Sequence, residues 1–325
     1  MDARPWMLLV LTAGLTAAAC AVVLRARTTW RQVGPPRDNP CHRSGRKLVA
    51  GLVPVSIATL VCLLSVGLAL ETVALLGSVA GLALVGHLDD RTAYTAGGKL
   101  VAQLPFFLLS LLVQPGWGGM AFVPGLMVGL AFAIVITNGM NVLDVADGLA
   151  PGVSAVTLGA LGFILLAQGK EDQAVVALVF AGGACGFLLF NAAPGRLILG
   201  DAGCLPLGGL TAALVPQILD DDVALGLPVA ALLLSAPLFE VSWVSVRRLQ
   251  RGLPPWVASP HHLAYWLVSR GMTGAQAVGL IVAGHALAVT LALWLAGARA
   301  GTFWAVLVVS VLAIASWTKS RWLAA

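Results

Sequence analysis

Charged residues are scarce in this chain of 325 residues. Only 10% are Asp, Glu, Lys or Arg, whereas 59% are apolar. Soluble domains average about 25% charged and about 45 to 50% apolar residues, so the composition excludes an ordinary soluble protein. It indicates an integral membrane protein.

Cysteine is also rare, and the five residues show neither disulfide nor zinc spacing. We therefore assign them no redox or metal-binding role. A soluble domain, a linker and an internal repeat are missing as well, so we treat residues 1–325 as one membrane domain. The cysteines are Cys20, Cys41, Cys62, Cys185 and Cys204.

Long apolar runs alternate with short polar breaks along the whole chain. The runs are about 17 to 24 residues long, as a membrane-crossing helix requires, and they lack the alternation of barrel strands. We predict an all-α polytopic membrane protein with eleven spans. The spans are residues 6–24, 48–68, 72–88, 100–115, 121–137, 149–167, 173–190, 203–219, 223–244, 276–296 and 302–318.

The cationic residues indicate an orientation. If the N-terminus lies outside, all of the 19 Lys and Arg residues fall on the inner side except Arg4, Lys170 and Arg299. The positive-inside rule then predicts an outer N-terminus and a cytoplasmic C-terminus. The net charge of +5 is explained by topology and by attraction to anionic headgroups, without a nucleic acid partner.

Polar residues recur every three positions in the sequence NGMNVLDVADG, which lies between two apolar runs. They are Asn138, Asn141, Asp144 and Asp147, and their spacing predicts that all four share roughly one helical face. A carboxylate that enters hydrocarbon costs about 2.5 to 3.5 kcal/mol on insertion scales. Acids at this position therefore indicate function rather than packing.

A second acidic pair, Asp89 and Asp90, ends the third predicted span. Adjacent carboxylates repel each other unless a cation is bound, and Mg²⁺ takes such oxygen ligands. Lys99 follows and could offer a positive charge to a phosphate. The pair therefore predicts a cation site at the inner membrane edge.

Two further stretches carry polar residues to the same side. In the sequence FNAAPGRLILGDAGCLPLGG, Asn191 and Asp201 lie among glycines and prolines that break a helix. A half-helix that starts near Gly203 would direct its N-terminal amides toward an anion.

The ninth predicted span carries Glu240 near its inner end and continues into Arg247 and Arg248. His261 and His262 follow in the sequence SPHHL. Adjacent histidines point apart on a helix, so at most one of them faces a given ligand. No Cys or acid stands at zinc-ligand spacing, which favours hydrogen bonds to a phosphate or sugar.

Convergence of these groups on one membrane face describes phosphoryl transfer to a lipid-dissolved acceptor. An ion-coupled transporter is the non-enzymatic alternative, although transporters place such acids near the midplane in repeated halves. CDP-alcohol phosphotransferases need a DG-x-x-AR run followed by more acids. Here Asp147 and Gly148 lead to Pro151 and an acid-free span, which argues against an enzyme of that class.

The ordered motifs resemble those of the polyprenyl-phosphate N-acetylhexosamine-1-phosphate transferases, glycosyltransferase family 4, which includes MraY, WecA and TagO. The resemblance covers about residues 86–275, and eleven spans are more similar to the WecA and TagO branch. The motifs are GHLDDRTAYTAGGKLVAQ, TNGMNVLDVADGLAPG, FNAAPGRLILGDAGCLPLG, PLFEVSWVSVRR and SPHHL.

The resemblance implies transfer of a sugar 1-phosphate from a UDP-sugar to undecaprenyl or decaprenyl phosphate, with release of UMP and with Mg²⁺ or Mn²⁺ as cofactor. It implies metal binding by Asp90 and Asp201. The implied catalytic residues are Asp89, Asp90, Asp147, His261 and His262. The implied substrate-binding residues are Lys99, Asn138, Asn141, Asp144, Asn191, Arg247 and Arg248.

The chain departs from the family pattern at Val145, where Gly is usual, at Cys204, where Ser is usual, and at Glu240, where Asp is expected. The third histidine of the loop is missing. These changes affect the prediction of the donor sugar more than the prediction of the reaction type. We expect N-acetylglucosamine 1-phosphate or a related N-acetylhexosamine, with the MraY-type muramoyl-pentapeptide donor as the alternative. The expected location is the plasma membrane with a cytoplasmic active site, and a homodimer is possible.

Overall fold

The computed structural model describes residues 3–26, 32–33, 47–67, 69–113, 121–219 and 223–297. These residues form twelve α-helices, three short strands and a 3₁₀ turn at Val215–Leu219. The helices are α1 (Arg4–Arg25), α2 (Leu52–Ser65), α3 (Leu70–Thr92), α4 (Ala96–Leu111), α5 (Phe122–Leu143), α6 (Leu149–Ala167), α7 (Glu171–Asn191), α8 (Asp201–Leu214), α9 (Val223–Leu233), α10 (Ser235–Leu249), α11 (Leu263–Ser269) and α12 (Gly274–Leu295). The strands are β1 (Gln32–Val33), β2 (Lys47–Val49) and β3 (Leu197–Ile198).

Seven helices in the described residues are long and apolar enough to cross a membrane, and α9 with α10 supplies an eighth crossing if the pair counts as one span. The shorter helices α2 and α4 are also apolar. Ten of the eleven predicted spans overlap with these helices, and the eleventh, 302–318, lies outside the described residues. The all-α polytopic membrane fold is confirmed; the number of spans and their orientation stay predictions.

The centre of the bundle is α8, which packs against α3 and α5, while α7 packs against α1 and α6. In the apolar segment that begins with α8, 94% of residues are buried, compared with 22% in α1. In a membrane protein the apolar outer surface of a helix such as α1 faces lipid, and helices associate by close packing. The polar ends of the central helices are therefore surrounded by protein.

A close approach between α3 and α8 depends on Gly86. A Cβ atom at Gly86 would lie 2.2 Å from the backbone oxygen of Asp201 and 2.6 Å from the nitrogen of Ala202. Only glycine leaves room for this contact. The start of α8 therefore lies directly against the last turns of α3, where the acidic pair is located.

The three strands form a small sheet in the order β1-β2-β3. The β1-β2 pair is antiparallel, and the β2-β3 pair is parallel with Leu48 opposite Leu197 and Val49 opposite Ile198. The second predicted span was therefore wrong at its start, because residues 47–49 are strand and the helix begins at Leu52. Strands of two or three residues are too short to show a period in sequence.

The ninth predicted span, 223–244, is also wrong as a single straight helix. Helix α9 ends at Leu233, α10 begins at Ser235, and the two axes differ by 66°. Pro237 lies in the first turn of α10 and has no N–H to continue the hydrogen bonds of α9. The bend redirects α10 relative to α9.

Candidate active site

The ends of four helices meet at one place. The C-terminal ends of α3, α5 and α7 lie beside the N-terminal end of α8, and they carry Asp89, Asp144, Asn191 and Asp201. These residues are distant in sequence. Their contacts bring together most of the site residues that the sequence predicts.

Lys99 is the centre of the first group of contacts. Its Nζ lies 2.9 Å from Asp89 Oδ2 and also bonds to Asp201 Oδ2. With its amide oriented to satisfy both neighbours, Asn141 accepts a hydrogen bond from Lys99 Nζ at 2.6 Å and donates one to Asp201 Oδ1 at 3.0 Å. One ammonium group therefore neutralises carboxylates from two different helices.

Asp90 has a different environment from its neighbour Asp89. Its Oδ1 accepts a hydrogen bond from the backbone N–H of Asp201, and its Oδ2 accepts one from Ala202, both at 3.1 Å. These amides begin α8, which starts two residues before the predicted Gly203. An anion at a helix N-terminus is stabilised by the free amides and the helix dipole. The anion at this helix end is a side chain of the chain itself.

Asp144, Asp147 and Asn191 fix the loops around this junction. Asp144 Oδ2 accepts from Gly200 N at 2.9 Å, and Asp147 Oδ2 accepts from Gly195 N at 2.9 Å. Asn191 Oδ1 accepts from Gly148 N at 2.8 Å, while its Nδ2 donates to Leu197 O at 2.8 Å. Asp147 and Asn191 are buried. They join the end of α5 to the loop between α7 and α8.

The prediction of a single helical face for the four polar residues is wrong. Helix α5 ends at Leu143, so Asp144 is its C-terminal cap and Asp147 lies in the following turn. Asn138 donates to Gln103 Oε1 of α4 at 3.2 Å and to Ile134 O at 2.9 Å. Asn138 is thus bonded to α4 rather than to the acid cluster.

The histidine loop is held by a buried acid. His262 Nδ1 lies 3.0 Å from Glu240 Oε1, which also accepts from Leu263 N at 3.3 Å. Tyr265 donates to Val145 O at 3.4 Å and so links the loop to the segment that follows α5. His262 contacts Glu240 of α10, but it is the extended residue before α11, so the two histidines do not lie on a helix as the prediction assumed.

His261 differs from His262 in its surroundings. Among the residues that the structure describes, its buried Nδ1 has no hydrogen-bond partner. Burial and the positive charges of Arg251 and Arg248 lower the pKa of His261. The imidazole is therefore neutral at pH 7, and it can accept or donate a hydrogen bond without adding charge.

Arg247 and Arg248 have separate surroundings. The Arg247 guanidinium lies 4.7 Å from the centre of the Trp243 ring. Arg248 is buried, donates to Ser259 Oγ at 2.7 Å and also bonds to Pro255 O. Arg248 therefore holds the loop that leads to the histidines, and substrate binding by either arginine stays a prediction.

The oxygen atoms around Lys99 test whether a divalent cation fits. In the part of the chain that the structure describes, no group of three or more His, Cys, Asp or Glu side chains is placed to hold a metal ion. However, Asp89, Asp201 and the Asn141 amide already place oxygen atoms around one positive charge. Hard oxygen ligands are those that Mg²⁺ prefers. The residues fit such a cation if it takes the place of the Lys99 ammonium.

Sequence reasoning did not assign a role to several groups that build the site. Glu240 was noted as a departure from a pattern, although an acid near two histidines suggests an orienting partner. Nothing in the sequence around Tyr265 indicated a role for this residue. The backbone amides of Gly195, Gly200 and Ala202 donate to the carboxylates of the site because the fold places them there. A backbone amide cannot be recognised from residue type.

Comparison with known proteins finds similarity in the part of the chain that contains this site. A family model described as glycosyl transferase family 4 matches residues 72–218, the segment from α3 through the 3₁₀ turn after α8. Through this segment the chain is similar to glycosyl transferase family 4. The match includes the acid pair, Lys99 and the junction with α8, and it agrees with the predicted family.

Individual members of the family are similar over part of their length. The phospho-N-acetylmuramoyl-pentapeptide-transferase of Geobacillus sp. (strain WCH70) is 32% identical over 166 residues, which are 45% of this chain and 51% of the relative. The protein of the same name from Bacillus mycoides (strain KBAB4) is 30% identical over 208 residues, 56% of this chain and 64% of the relative. The chain therefore spans about half to just under two thirds of these curated relatives, and the WecA and TagO branch stays a prediction.

Proposed function

We propose that this chain transfers a sugar 1-phosphate from a UDP-sugar to polyprenyl phosphate and releases UMP. The observation that carries the proposal is the shared contact of Asp89, Lys99 and Asp201 at the junction of α3, α4 and α8. The junction contains carboxylates for a cation, an ammonium group for a phosphate, and helix ends within a membrane bundle. The match of residues 72–218 to the family model supports the same reaction class.

In the proposed reaction an oxygen of the lipid phosphate forms a bond to the sugar-bearing phosphorus of the donor. The bond from that phosphorus to the bridging oxygen breaks, and UMP leaves with the electron pair. Asp89 keeps the lipid phosphate ionised by accepting its proton. Asp90 holds the start of α8 through the amides of Asp201 and Ala202, so that Asp201 stays beside Lys99.

We propose Mg²⁺, or Mn²⁺ in its place, as the cofactor. When bound, the cation would spread the negative charge that develops on the diphosphate. Asp201 and the predicted ligand Asp90 would hold it, and Asp89 and the Asn141 amide supply further oxygen atoms around the position of the Lys99 ammonium. Lys99, released from the carboxylates, would place its positive charge against a donor phosphate.

The remaining predicted residues shape the donor site. Asp144, Asp147 and Asn191 hold the loops on both sides of the junction and would bind the nucleotide through those loops. Neutral His261 would donate a hydrogen bond to a phosphate or sugar oxygen. Glu240 orients His262 through its Nδ1, as a carboxylate partner orients an active-site imidazole.

For the donor we propose UDP-N-acetylglucosamine or a related N-acetylhexosamine, in a first membrane step of cell-envelope polysaccharide synthesis. A muramoyl-pentapeptide donor is the second candidate, because the relatives named above are phospho-N-acetylmuramoyl-pentapeptide-transferases. The proposed acceptor lies in the plasma membrane, with the site on the cytoplasmic face. A homodimer is compatible with this proposal.

The test is an assay of purified protein with a panel of radiolabelled UDP-sugars, polyprenyl phosphate and Mg²⁺. We expect UMP and a labelled lipid only when both substrates are present. Asp89→Asn and Asp201→Asn should abolish transfer while the protein stays folded. UMP formation without lipid would indicate a pyrophosphatase, and no UMP with any donor would favour the transporter alternative.

A further inference from the structure

The bend between α9 and α10 leaves a backbone carbonyl without a helical partner. In a continuous helix the carbonyl of Leu233 would accept from the N–H of residue 237, but Pro237 has none. Both residues are buried. In a membrane bundle no bulk water can satisfy such a group, so a neighbouring helix has to do so.

Helices α6 and α12 supply that partner. Thr157 of α6 donates to Leu233 O at 3.2 Å, and its Oγ1 lies 2.9 Å from His285 Nε2 of α12. His285 Nδ1 lies 2.9 Å from the hydroxyl of Ser235, the first residue of α10. Thr157 and His285 are buried. The imidazole therefore contacts the first residue of α10 directly and the last residue of α9 through Thr157.

The hydrogen bonds specify the protonation of His285. The single hydroxyl hydrogen of Thr157 goes to Leu233 O, so Thr157 Oγ1 accepts from His285 Nε2–H. His285 Nδ1 then accepts from the Ser235 hydroxyl. A neutral ring with its proton on Nε2 satisfies both Thr157 and Ser235, whereas an apolar residue would satisfy neither.

The direction of α10 matters for the candidate active site. Beyond the bend, α10 packs on α5 at Gly139, where a Cβ atom would lie 3.1 Å from Val241 Cγ2 and 3.3 Å from Pro237 Cβ. Gly139 lies between Asn138 and Asn141. Further along α10, Glu240 holds His262. A change in the bend would therefore move the histidine loop relative to α5.

We propose that His285 is a positioning residue: with Thr157 and Ser235 it fixes the bend and so holds the histidine loop against the end of α5. This inference rests on the proposed function for its kinetic consequence, but its geometric consequence is independent of that function. Any other bend leaves Leu233 O and the imidazole nitrogens without these partners inside the bundle. The network therefore selects one direction for α10.

The test uses Thr157→Val, which keeps the side-chain volume and removes only the hydroxyl. The matched control is Ser154→Ala, one turn away on α6, whose buried hydroxyl donates to Ala150 O of the same helix at 2.9 Å. Spin labels on encoded non-natural amino acids would replace Leu249 of α10 and Leu84 of α3, which are both exposed. We expect a narrow distance distribution for the parent and the control, and a broad or shifted one for Thr157→Val.

Kinetics supply the second measurement. Thr157→Val should raise the KM for the UDP-sugar about two- to tenfold, the change that corresponds to loss of one hydrogen bond. His285→Leu should raise it at least as much, and His285→Asn should recover part of the loss. The loss of a purely structural contact would lower the active fraction and leave KM and the label distances unchanged.

The two proposals fail in different ways. Unchanged distances in Thr157→Val, or changed distances with an unchanged KM, would overturn the positioning role. A parent protein that transfers no sugar phosphate would overturn the proposed function, while the label distances would still test the bend. If His285→Leu does not fold, Thr157→Val and Ser235→Ala keep the test decisive.

Discussion

Replacement of Lys99 by methionine tests the cation position at the centre of the acid cluster. The ammonium group bonds to both Asp89 and Asp201, and the three side chains are only 14%, 12% and 19% exposed in the order Lys99, Asp89, Asp201. Removal of one partner from a buried ion pair costs about 3 to 5 kcal/mol, because it leaves a buried charge unpaired. Partial exposure of both acids reduces this to roughly 2 to 3 kcal/mol here.

The loss is measurable as a shift in unfolding temperature. A conversion of about 2 °C per kcal/mol predicts that Lys99→Met unfolds about 4 to 6 °C below the parent. Tryptophan fluorescence in detergent can follow unfolding, since the chain has 10 tryptophans. Arg91→Met is the control: Arg91 is exposed on the last turn of the same acid-bearing helix, and the change should shift Tm by about 1 °C or less.

Magnesium should act differently on the two proteins. A cation at 100 times its Kd stabilises the folded state by about 2.7 kcal/mol. In Lys99→Met the oxygens of Asp89 and Asp201 no longer bind an ammonium group, so Mg²⁺ should raise Tm more in the variant than in the parent, and EDTA should reverse the gain. A variant that unfolds with the parent, or that gains nothing from Mg²⁺, would refute the reasoning.

Three further predictions concern packing, the histidine loop and the cofactor. Gly86→Ala should destabilise the protein and abolish transfer, because its Cβ would lie 2.2 Å from the backbone oxygen of Asp201. The control Gly97→Ala places its Cβ in open space and should keep the parental Tm and activity. Equal behaviour of the two variants would contradict the close approach of α3 and α8. Glu240→Leu should lower stability by about 2 to 3 kcal/mol in thermal unfolding, because buried His262 loses its carboxylate partner, and an unchanged Tm would contradict that contact. Transfer assays should require Mg²⁺ or Mn²⁺, and full turnover in EDTA would exclude the metal assignment.

Hydropathy predicted the helices well because it reports a property of each segment by itself. The sixth predicted span, residues 149–167, coincides with α6, since the Gly148 turn and the polar residues after Ala167 end the apolar run on both sides. The break at Leu234 was missed because hydropathy does not report contacts between distant segments. An apolar run continues through Pro237, and the hydroxyl that makes the break tolerable comes from a distant helix.

The candidate site was predicted as a set of residues but not as a set of contacts. The acids, amides and histidines lie at visible intervals, so their convergence on one face could be inferred. The partner of Lys99 could not be inferred, because it depends on how α4 packs beside α8. The C-terminal end of α5 could not be inferred either. The three-residue spacing of polar residues continues through Asp144 and Asp147, whereas the helix ends at Leu143.

The contacts at the end of α3 give its two adjacent aspartates, Asp89 and Asp90, different roles. Consecutive positions on a helix differ by about 100° in direction, so Asp89 faces the lysine while Asp90 faces the first amides of α8. The Asp90 carboxylate connects α3 to α8, whereas the Asp89 carboxylate can exchange Lys99 for another cation. Changes at Asp90 should therefore disturb the start of α8 in addition to the proposed metal site, whereas changes at Asp89 should leave the start of α8 in place.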